Sequence, residues 1–196
     1  DDPFVGPAIP GGRITLTAAL RGERAHTDTN IDAITADADS EIVAEDENST
    51  VAEIGARYVR QIDAHSTLEA MVSQQLGWLE NRERSRENGE DETFDEATDT
   101  GESIARIDLT HEHSSRLSFA ASLEGAYNFL ESEAELIQDG EPVTLPGSDV
   151  RIEEKRIEAA FGATWKPADG WVLEAGMRIE QSSIAQTGDS PLQRRF

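Results

Sequence analysis

Alternation of apolar and polar residues is the main pattern in this sequence. Between positions 116 and 129, one set of alternate residues is apolar, and the other contains every charged or strongly polar side chain, including Glu124 and Asn128. The apolar set is Leu117, Phe119, Ala121, Leu123, Gly125, Tyr127 and Phe129. Successive side chains of a β-strand point to opposite faces, so this segment is predicted to be a long strand with two unlike faces.

Six other segments show the same period of two with varying clarity. The seven predicted strands lie near residues 13–24, 51–62, 67–80, 103–111, 116–131, 152–166 and 171–185. Short connections rich in Gly, Pro, Asp and Ser recur near residues 11, 64, 114 and 168 and have the composition of tight turns. The pattern predicts an all-β fold, an antiparallel meander of about seven to eight strands with short turns along one edge.

Charge distinguishes the other connections. The chain has 40 acidic and 17 basic residues and a net charge of -23, which excludes a nucleic-acid-binding protein on electrostatic grounds. Of the 40 acidic residues, 25 lie within 25–50, 83–102 and 131–154, which contain only Arg84, Arg86 and Arg151 as basic residues. Blocks of like charge resist collapse, so these stretches are predicted to be long, solvated, mobile loops on the opposite edge of the sheet.

Strand length favours a membrane over water as the surroundings of the apolar side chains. Strands of soluble sandwiches are usually five or six residues long, whereas about nine to eleven tilted residues cross a bilayer. Trp78, Trp165 and Trp171 lie near strand ends, where aromatic rings sit at headgroup depth. We therefore expect a transmembrane β-barrel segment. A soluble acidic β-sandwich acting as a surface adhesin or binding module and a passive porin are the alternatives.

Residues 1–196 are interpreted as a single, partial β-barrel domain. A spanning sheet must close, because an open edge in hydrocarbon leaves backbone groups without partners. Seven strands are an odd number, whereas single-chain bacterial barrels have an even one. The chain opens on Asp1 and not on Met, and Gln193, Arg194 and Arg195 interrupt the alternation near its end. We expect a section of a larger barrel.

The hairpin rhythm, with stretches such as RIEEKRIEAAFGATWKPADGWVLEAGMRIE at 151–180, resembles the barrel of TonB-dependent outer-membrane receptors. The resemblance covers residues 10–196 and implies a 22-stranded barrel closed by a plug, located in the outer membrane of a Gram-negative cell. It implies import of a scarce small-molecule ligand of the siderophore, cobalamin or saccharide class. The implied partners are outer-membrane lipid, the ligand, and TonB, which acts through a plug that nothing in this chain resembles.

Candidate chemistry in the sequence is weak. Asp28, Asn30, Asp32 and Asp39 echo the spacing of a calcium loop, but Ala33 replaces its turn glycine and Asp39 its glutamate. His111 and His113 share a strand face without a third metal ligand. The predicted lumen face carries Glu124, Glu158, Glu174 and Glu180 with Arg106, Arg116, Arg156 and Arg178. Such charges keep a barrel interior polar, so the sequence predicts no enzyme and assigns no catalytic residue, ligand-binding residue, metal site or cofactor.

Overall fold

The computed structural model describes residues 4–9, 11–31, 41–87, 89–188 and 192–195. These residues form one antiparallel sheet, which confirms the predicted all-β meander. The strands are β1 (Phe4–Ile9), β2 (Gly12–Ile31), β3 (Glu41–Gln61), β4 (Ser66–Glu87), β5 (Glu90–Ser114), β6 (Leu117–Gln138), β7 (Glu141–Val143), β8 (Asp149–Trp165), β9 (Leu173–Gly188) and β10 (Leu192–Arg195). Their order in the sheet is β1-β2-β3-β4-β5-β6-β8-β9-β10, and β7 pairs with β6 beyond the end of β8. Within the described part of the chain, β1 and β10 are the free edges.

The short turns lie where the sequence predicts them. The chain reverses between Gln61 and Ser66, between Ser114 and Leu117, and between Trp165 and Leu173. In the first of these turns the carboxylate of Asp63 accepts a hydrogen bond from the backbone N–H of His65 at 2.7 Å. This local hydrogen bond holds the pKa of Asp63 below its usual value. It also gives a backbone N–H of the turn an acceptor in place of a neighbouring strand.

The prediction of long acidic loops is wrong for most of the acidic stretches, because they continue the strands. β4 extends to Glu87 and β5 begins at Glu90, so the connection between them is only Asn88-Gly89. β6 extends to Gln138 and turns through Asp139 and Gly140, whose φ angles of 49° and 82° are those of a two-residue hairpin turn. Of the connection between β2 and β3, residues 32–40 lie outside the described residues.

The described residues have almost no hydrophobic core. Ala126, at 7% exposure, is the single buried apolar residue among them. Leu123, Phe161 and Leu173 are 50%, 48% and 47% exposed, although a soluble sandwich would bury such side chains between two sheets. The single sheet is therefore inconsistent with the β-sandwich alternative. The described part of the chain contains no helix of the length and apolarity needed to span a membrane.

Candidate functional site

Each long strand has two faces, and the pairing of neighbouring strands connects these into two continuous surfaces. We call the surface that carries Leu123 face A and the surface that carries Ser122 face B. Two residues on different strands are called level when a series of directly paired residues, one on each strand between them, joins them across the sheet. We call the part of the seven long strands (β2 to β6, β8 and β9) beyond the level of Tyr127, away from the short turns, the distal half. The remainder is the turn half.

Face A carries a band of apolar side chains that covers most of the turn half and extends into the distal half. In β6 the band extends from Leu117 to Phe129, and in β4 from Leu68 to Trp78. The ten residue steps in β4, at about 3.3 Å per residue, make a strand segment about 33 Å long. In β2 and β9, at the two sides of the sheet, the band covers six residue steps. Most of its large side chains are exposed although they are apolar.

The edge of the band near the short turns slides along the sheet. In β2 the first apolar residue of face A is Ile14, which is level with Leu123 of β6. In β9 the first is Leu173, which is level with Leu117 of β6. This edge therefore shifts by six residues between β2 and β9, toward the short turns.

The distal edge of the band slides by the same amount. Leu20 of β2 is level with Phe129, and Ile179 of β9 is level with Leu123. Both edges thus shift six residues over six strand-to-strand steps, or about one residue per strand. With a rise of about 3.3 Å and a strand spacing of about 4.8 Å, a flat layer would cross strands tilted by about 35° in this way. The tilt shortens the 33 Å segment of β4 to about 27 Å, close to the apolar band of outer-membrane barrels, and the six-step segments of β2 and β9 to about 16 Å.

Aromatic side chains mark both edges of the band. Trp165 and Trp171 are exposed near the short turns, and Trp78 is exposed at the distal edge. Tyr127 spans the distal edge, because its ring lies 6.2 Å from that of Phe129 and its hydroxyl donates a hydrogen bond to Glu153 at 3.0 Å. A ring with one apolar and one hydrated end is typical of a membrane interface.

Gln74 is the one strongly polar residue within the band of β4, and its amide is satisfied. Its Oε1 accepts a hydrogen bond from the hydroxyl of Ser103 at 2.5 Å, and its Nε2 donates to the backbone oxygen of Gln75 at 3.1 Å. Polar groups need such partners wherever water is excluded. Gln74 is therefore compatible with the apolar surroundings of face A.

Face B of the turn half carries a ladder of ion pairs. Glu124 of β6 contacts Arg156 of β8 at 3.2 Å and Arg106 of β5 at 3.5 Å. Glu158 of β8 contacts Arg178 of β9 at 2.5 Å. The side chains of Glu124 and Glu158 are only 17% and 15% exposed, so these two carboxylates are more shielded than apolar side chains of face A such as Leu123.

The structure brings together most of the predicted lumen charges. Arg178 also contacts Glu180 of the same strand at 3.1 Å, so Glu180 is the sixth residue of the ladder. Within the described residues, Glu174 and Arg116 form no ion pair. Asp108, which the sequence did not single out, joins through Arg106 at 2.8 Å. Its place two residues after Arg106 is the signal that would have found it.

The two histidines of the β5 turn are held by packing and hydrogen bonding. His111 Nδ1 lies 3.0 Å from the hydroxyl of Ser66, which is itself buried at the start of β4. The rings of His111 and His113 are 6.3 Å apart, and that of His113 is 6.4 Å from Phe119. The described residues contain no group of three His, Cys, Asp or Glu side chains that could hold a metal ion.

The calcium-like pattern falls partly outside the described residues, which exclude Asp32, Ala33 and Asp39. Asp28 and Asn30 are strand residues of β2. Asp28 lies 3.2 Å from His26 Nε2, and Asp46 of β3 lies 2.7 Å from His26 Nδ1. The hydrogen bond with Asp46, followed by the negative charge of Asp28, raises the pKa of His26 above its usual value.

Beyond the band, the distal half keeps the alternation but reverses its sense. In β6, Glu131, Glu133 and Glu135 occupy face A, whereas Leu130 and Leu136 lie on face B. β4, β5 and β8 agree, since face B there carries Leu79, Phe94 and Ile152, respectively. Apolar side chains thus change faces at the distal edge of the band, where a lipid layer about 27 Å thick would end.

Among the described residues, ion pairs in the distal half are confined to face A. Arg82 pairs with Asp95, Arg86 with Asp91 at 2.5 Å, and Arg151 with Glu131 at 2.5 Å. Face A of this half holds eleven carboxylates and five arginines, and face B holds twelve glutamates and Arg21. We call the twelve the inner glutamates: Glu23, Glu41, Glu45, Glu47, Glu53, Glu83, Glu87, Glu90, Glu92, Glu96, Glu102 and Glu154.

Comparison with known proteins gives limited similarity. The sequence matches no protein-family model and no curated protein. Among solved structures, the ferric yersiniabactin uptake receptor of Yersinia pestis matches with a TM-score of 0.48 and 12% identity, over 91% of this chain and 36% of that one. The alcaligin outer-membrane receptor of Bordetella pertussis matches with a TM-score of 0.31 and 11% identity, over 97% of this chain and 40% of that one. This chain thus spans less than half the length of either receptor.

Proposed function

We propose that this chain is a section of a transmembrane β-barrel of the outer membrane, with face A toward lipid and face B toward a water-filled lumen. The barrel would belong to a TonB-dependent receptor that imports a small-molecule ligand of the siderophore, cobalamin or saccharide class. Ligand capture would occur at the distal half, and a plug outside this chain would couple import to TonB. Residues 1–196 would form one partial barrel domain without enzymatic activity.

The observation that carries the membrane assignment is the band of face A. Its two edges shift in parallel by six residues, as a flat layer crossing tilted strands requires. A protein surface covering the sheet has no reason to follow such a plane. The ion-pair ladder of face B supports the opposite assignment for that face, since the lumen of a spanning barrel is polar.

Membrane insertion is tested by fluorescence quenching in vesicles. The 196-residue chain is refolded into phosphatidylcholine vesicles whose acyl chains carry bromine, and emission from Trp78, Trp165 and Trp171 is recorded. We expect strong quenching by bromine near the carbonyl end of the acyl chains and weaker quenching by bromine near the bilayer centre. Equal emission in brominated and ordinary vesicles would contradict the proposal.

Import is tested separately in cells that express the complete gene. A receptor of the proposed kind accumulates its ligand only in cells with TonB, whereas a passive porin would give the same uptake with and without it. Candidate ligands of the three classes are compared in both backgrounds. Uptake that is independent of TonB for all three classes would favour the porin.

A further inference from the structure

The distal part of face B combines uncompensated negative charge with apolar side chains. Each ion pair of the distal half lies on face A, and the inner glutamates have no basic partner within the described residues. Glu96 and Glu92 accept hydrogen bonds only from the neutral side chains of Ser132 and Gln138, at 3.2 and 2.7 Å. The apolar residues Leu79, Phe94, Leu130, Leu136 and Ile152 alternate with these carboxylates on the same surface.

Several inner glutamates directly oppose each other on neighbouring strands. Glu45 pairs in register with Glu83, and Glu41 with Glu87, which in turn pairs with Glu90. Like charges in directly opposite positions destabilise a sheet. On face A, opposed positions such as Arg82 and Asp95 are instead complementary. Among the described residues, the distal part of face B therefore lacks the basic partners that face A contains, with Arg21 as its one basic residue.

An orphaned acceptor lies in the same place. Asn81 is flanked in register by Glu47 and Glu96, and its buried Oδ1 has no hydrogen-bond donor. Buried polar atoms without partners are uncommon in folded proteins. A ligand that donates hydrogen bonds would satisfy this oxygen and the carboxylates beside it.

We propose that the distal part of face B binds an organic cation with two or more amino groups on an apolar frame. The inference rests on the proposed function, in which face B lines the lumen, and it specifies the charge class of the ligand captured there. A bare metal ion fits less well, because the described residues offer no group of three ligating side chains. The carboxylates are instead dispersed, with Leu79, Phe94 and Leu136 between them, which matches ammonium groups joined by hydrocarbon.

The probe is 1,12-diaminododecane, in which twelve methylenes join two ammonium groups. Binding to the chain in phosphatidylcholine vesicles is measured by titration calorimetry at low ionic strength, with empty vesicles subtracted. Calcium chloride tests charge without hydrocarbon, and dodecanedioate tests the same hydrocarbon with the opposite charge. We expect binding of the diamine that weakens as salt is added and no binding of dodecanedioate.

Two matched triple variants locate the site. The inner variant, Glu47→Gln, Glu83→Gln and Glu96→Gln, should weaken diamine binding about tenfold. The outer variant, Asp99→Asn, Glu133→Gln and Glu135→Gln, removes the same charge from unpaired carboxylates of face A and should change binding less than twofold. Glu83→Gln alone, with an expected loss of about twofold to threefold, replaces the inner triple variant if that variant does not fold.

Equal weakening by the two variants, no binding of the diamine, or calcium binding in its place would overturn the proposal. Tryptophan quenching by brominated lipid is measured on the same samples. Normal quenching without diamine binding refutes the ligand class alone, whereas loss of quenching refutes the membrane assignment on which it rests.

Discussion

At the scale of single residues, neighbouring positions of one strand face different surroundings. Leu123 lies near the centre of the apolar band, while Ser122 lies on face B beside the ladder that contains Glu124. Both positions are in the same hydrogen-bonded strand, so backbone effects of a substitution are shared. A difference between them reports what each side chain contacts.

Leu123→Asp is therefore predicted to destabilise the inserted chain by at most about 2–4 kcal/mol. That range holds for Arg and Lys at the bilayer centre, and acidic residues cost less. Ser122→Asp should change the free energy of unfolding by less than about 0.5 kcal/mol. Urea unfolding from vesicles, followed by tryptophan emission, measures both. Equal effects at the two positions would argue against lipid at face A.

His26 provides a residue-scale prediction in the distal half. Its two ring nitrogens contact Asp46 and Asp28, and Asp46 is also 3.4 Å from Arg84. The hydrogen bond with Asp46 is the main cause of the raised pKa of His26. A raised histidine pKa means that the contact contributes stability fully below the ordinary value of about 6.5 and loses it as pH rises through the folded pKa.

Proton NMR of the imidazole in a detergent-solubilised sample should thus give a pKa above 6.5 for His26. Asp46→Asn should lower it more than Asp28→Asn does, and Asp99→Asn, which is distant from the ring, serves as the control. A pKa of His26 that is the same in all three variants would show that the contact with Asp46 does not form.

At the scale of elements, the sequence was sufficient for the hairpins of the turn half. Alternation in positions 116–129 and in the six related segments predicted the strands, and Gly, Pro and Asp located the short turns. Charge density predicts loops for the acidic stretches, but the period of two in their apolar residues indicates strands. Residues 130–136 still alternate, with Leu130 and Leu136 opposite Glu131 and Glu135, but the apolar positions have moved to the other face.

Two turn signals in those stretches also indicated hairpins. Asn88-Gly89 and Asp139-Gly140 are the dipeptides that two-residue hairpin turns favour, because both central residues need positive φ. The structure gives φ angles of 90° for Gly89 and 82° for Gly140. The ladder on face B was only partly predictable, since alternation places Glu124 and Arg156 on one face but the register between β6 and β8 decides that they meet.

The change of faces along β6 predicts a pattern of cysteine reactivity. The chain has no cysteine, so single-cysteine variants can be labelled cleanly with a membrane-impermeant maleimide. In vesicles, cysteine at Ala121 or Leu123 should react slowly, and cysteine at Glu133 or Glu135 should react fast. Cysteine at Ser122, on the lumen side, is the matched control and should react faster than its two neighbours. Equal rates at all five positions would contradict the change of faces.

At the scale of the whole molecule, the shift of the band links the register of the sheet to the orientation that it would take in the proposed membrane. A sheet whose strands stood upright would have band edges at one level in each strand. Here both edges move by about one residue per strand on average between β2 and β9, which would correspond to a tilt of about 35° from the normal of the proposed membrane. The tilt follows from hydrogen-bond register and residue type and needs no comparison with another protein.

Polarised infrared spectroscopy of oriented bilayers measures this tilt directly. The amide I dichroism of the inserted chain should give a mean strand tilt of about 35–45° from the normal. A sheet adsorbed flat on the bilayer would instead place its strands in the membrane plane, near 90°. The variant with Asp at Ile107, Leu123 and Ile157, which lie together in the band of face A, should lose the tilted orientation. Ordered strands near 90° in the unsubstituted chain would show that the band of face A is an adsorbing surface and not a membrane span.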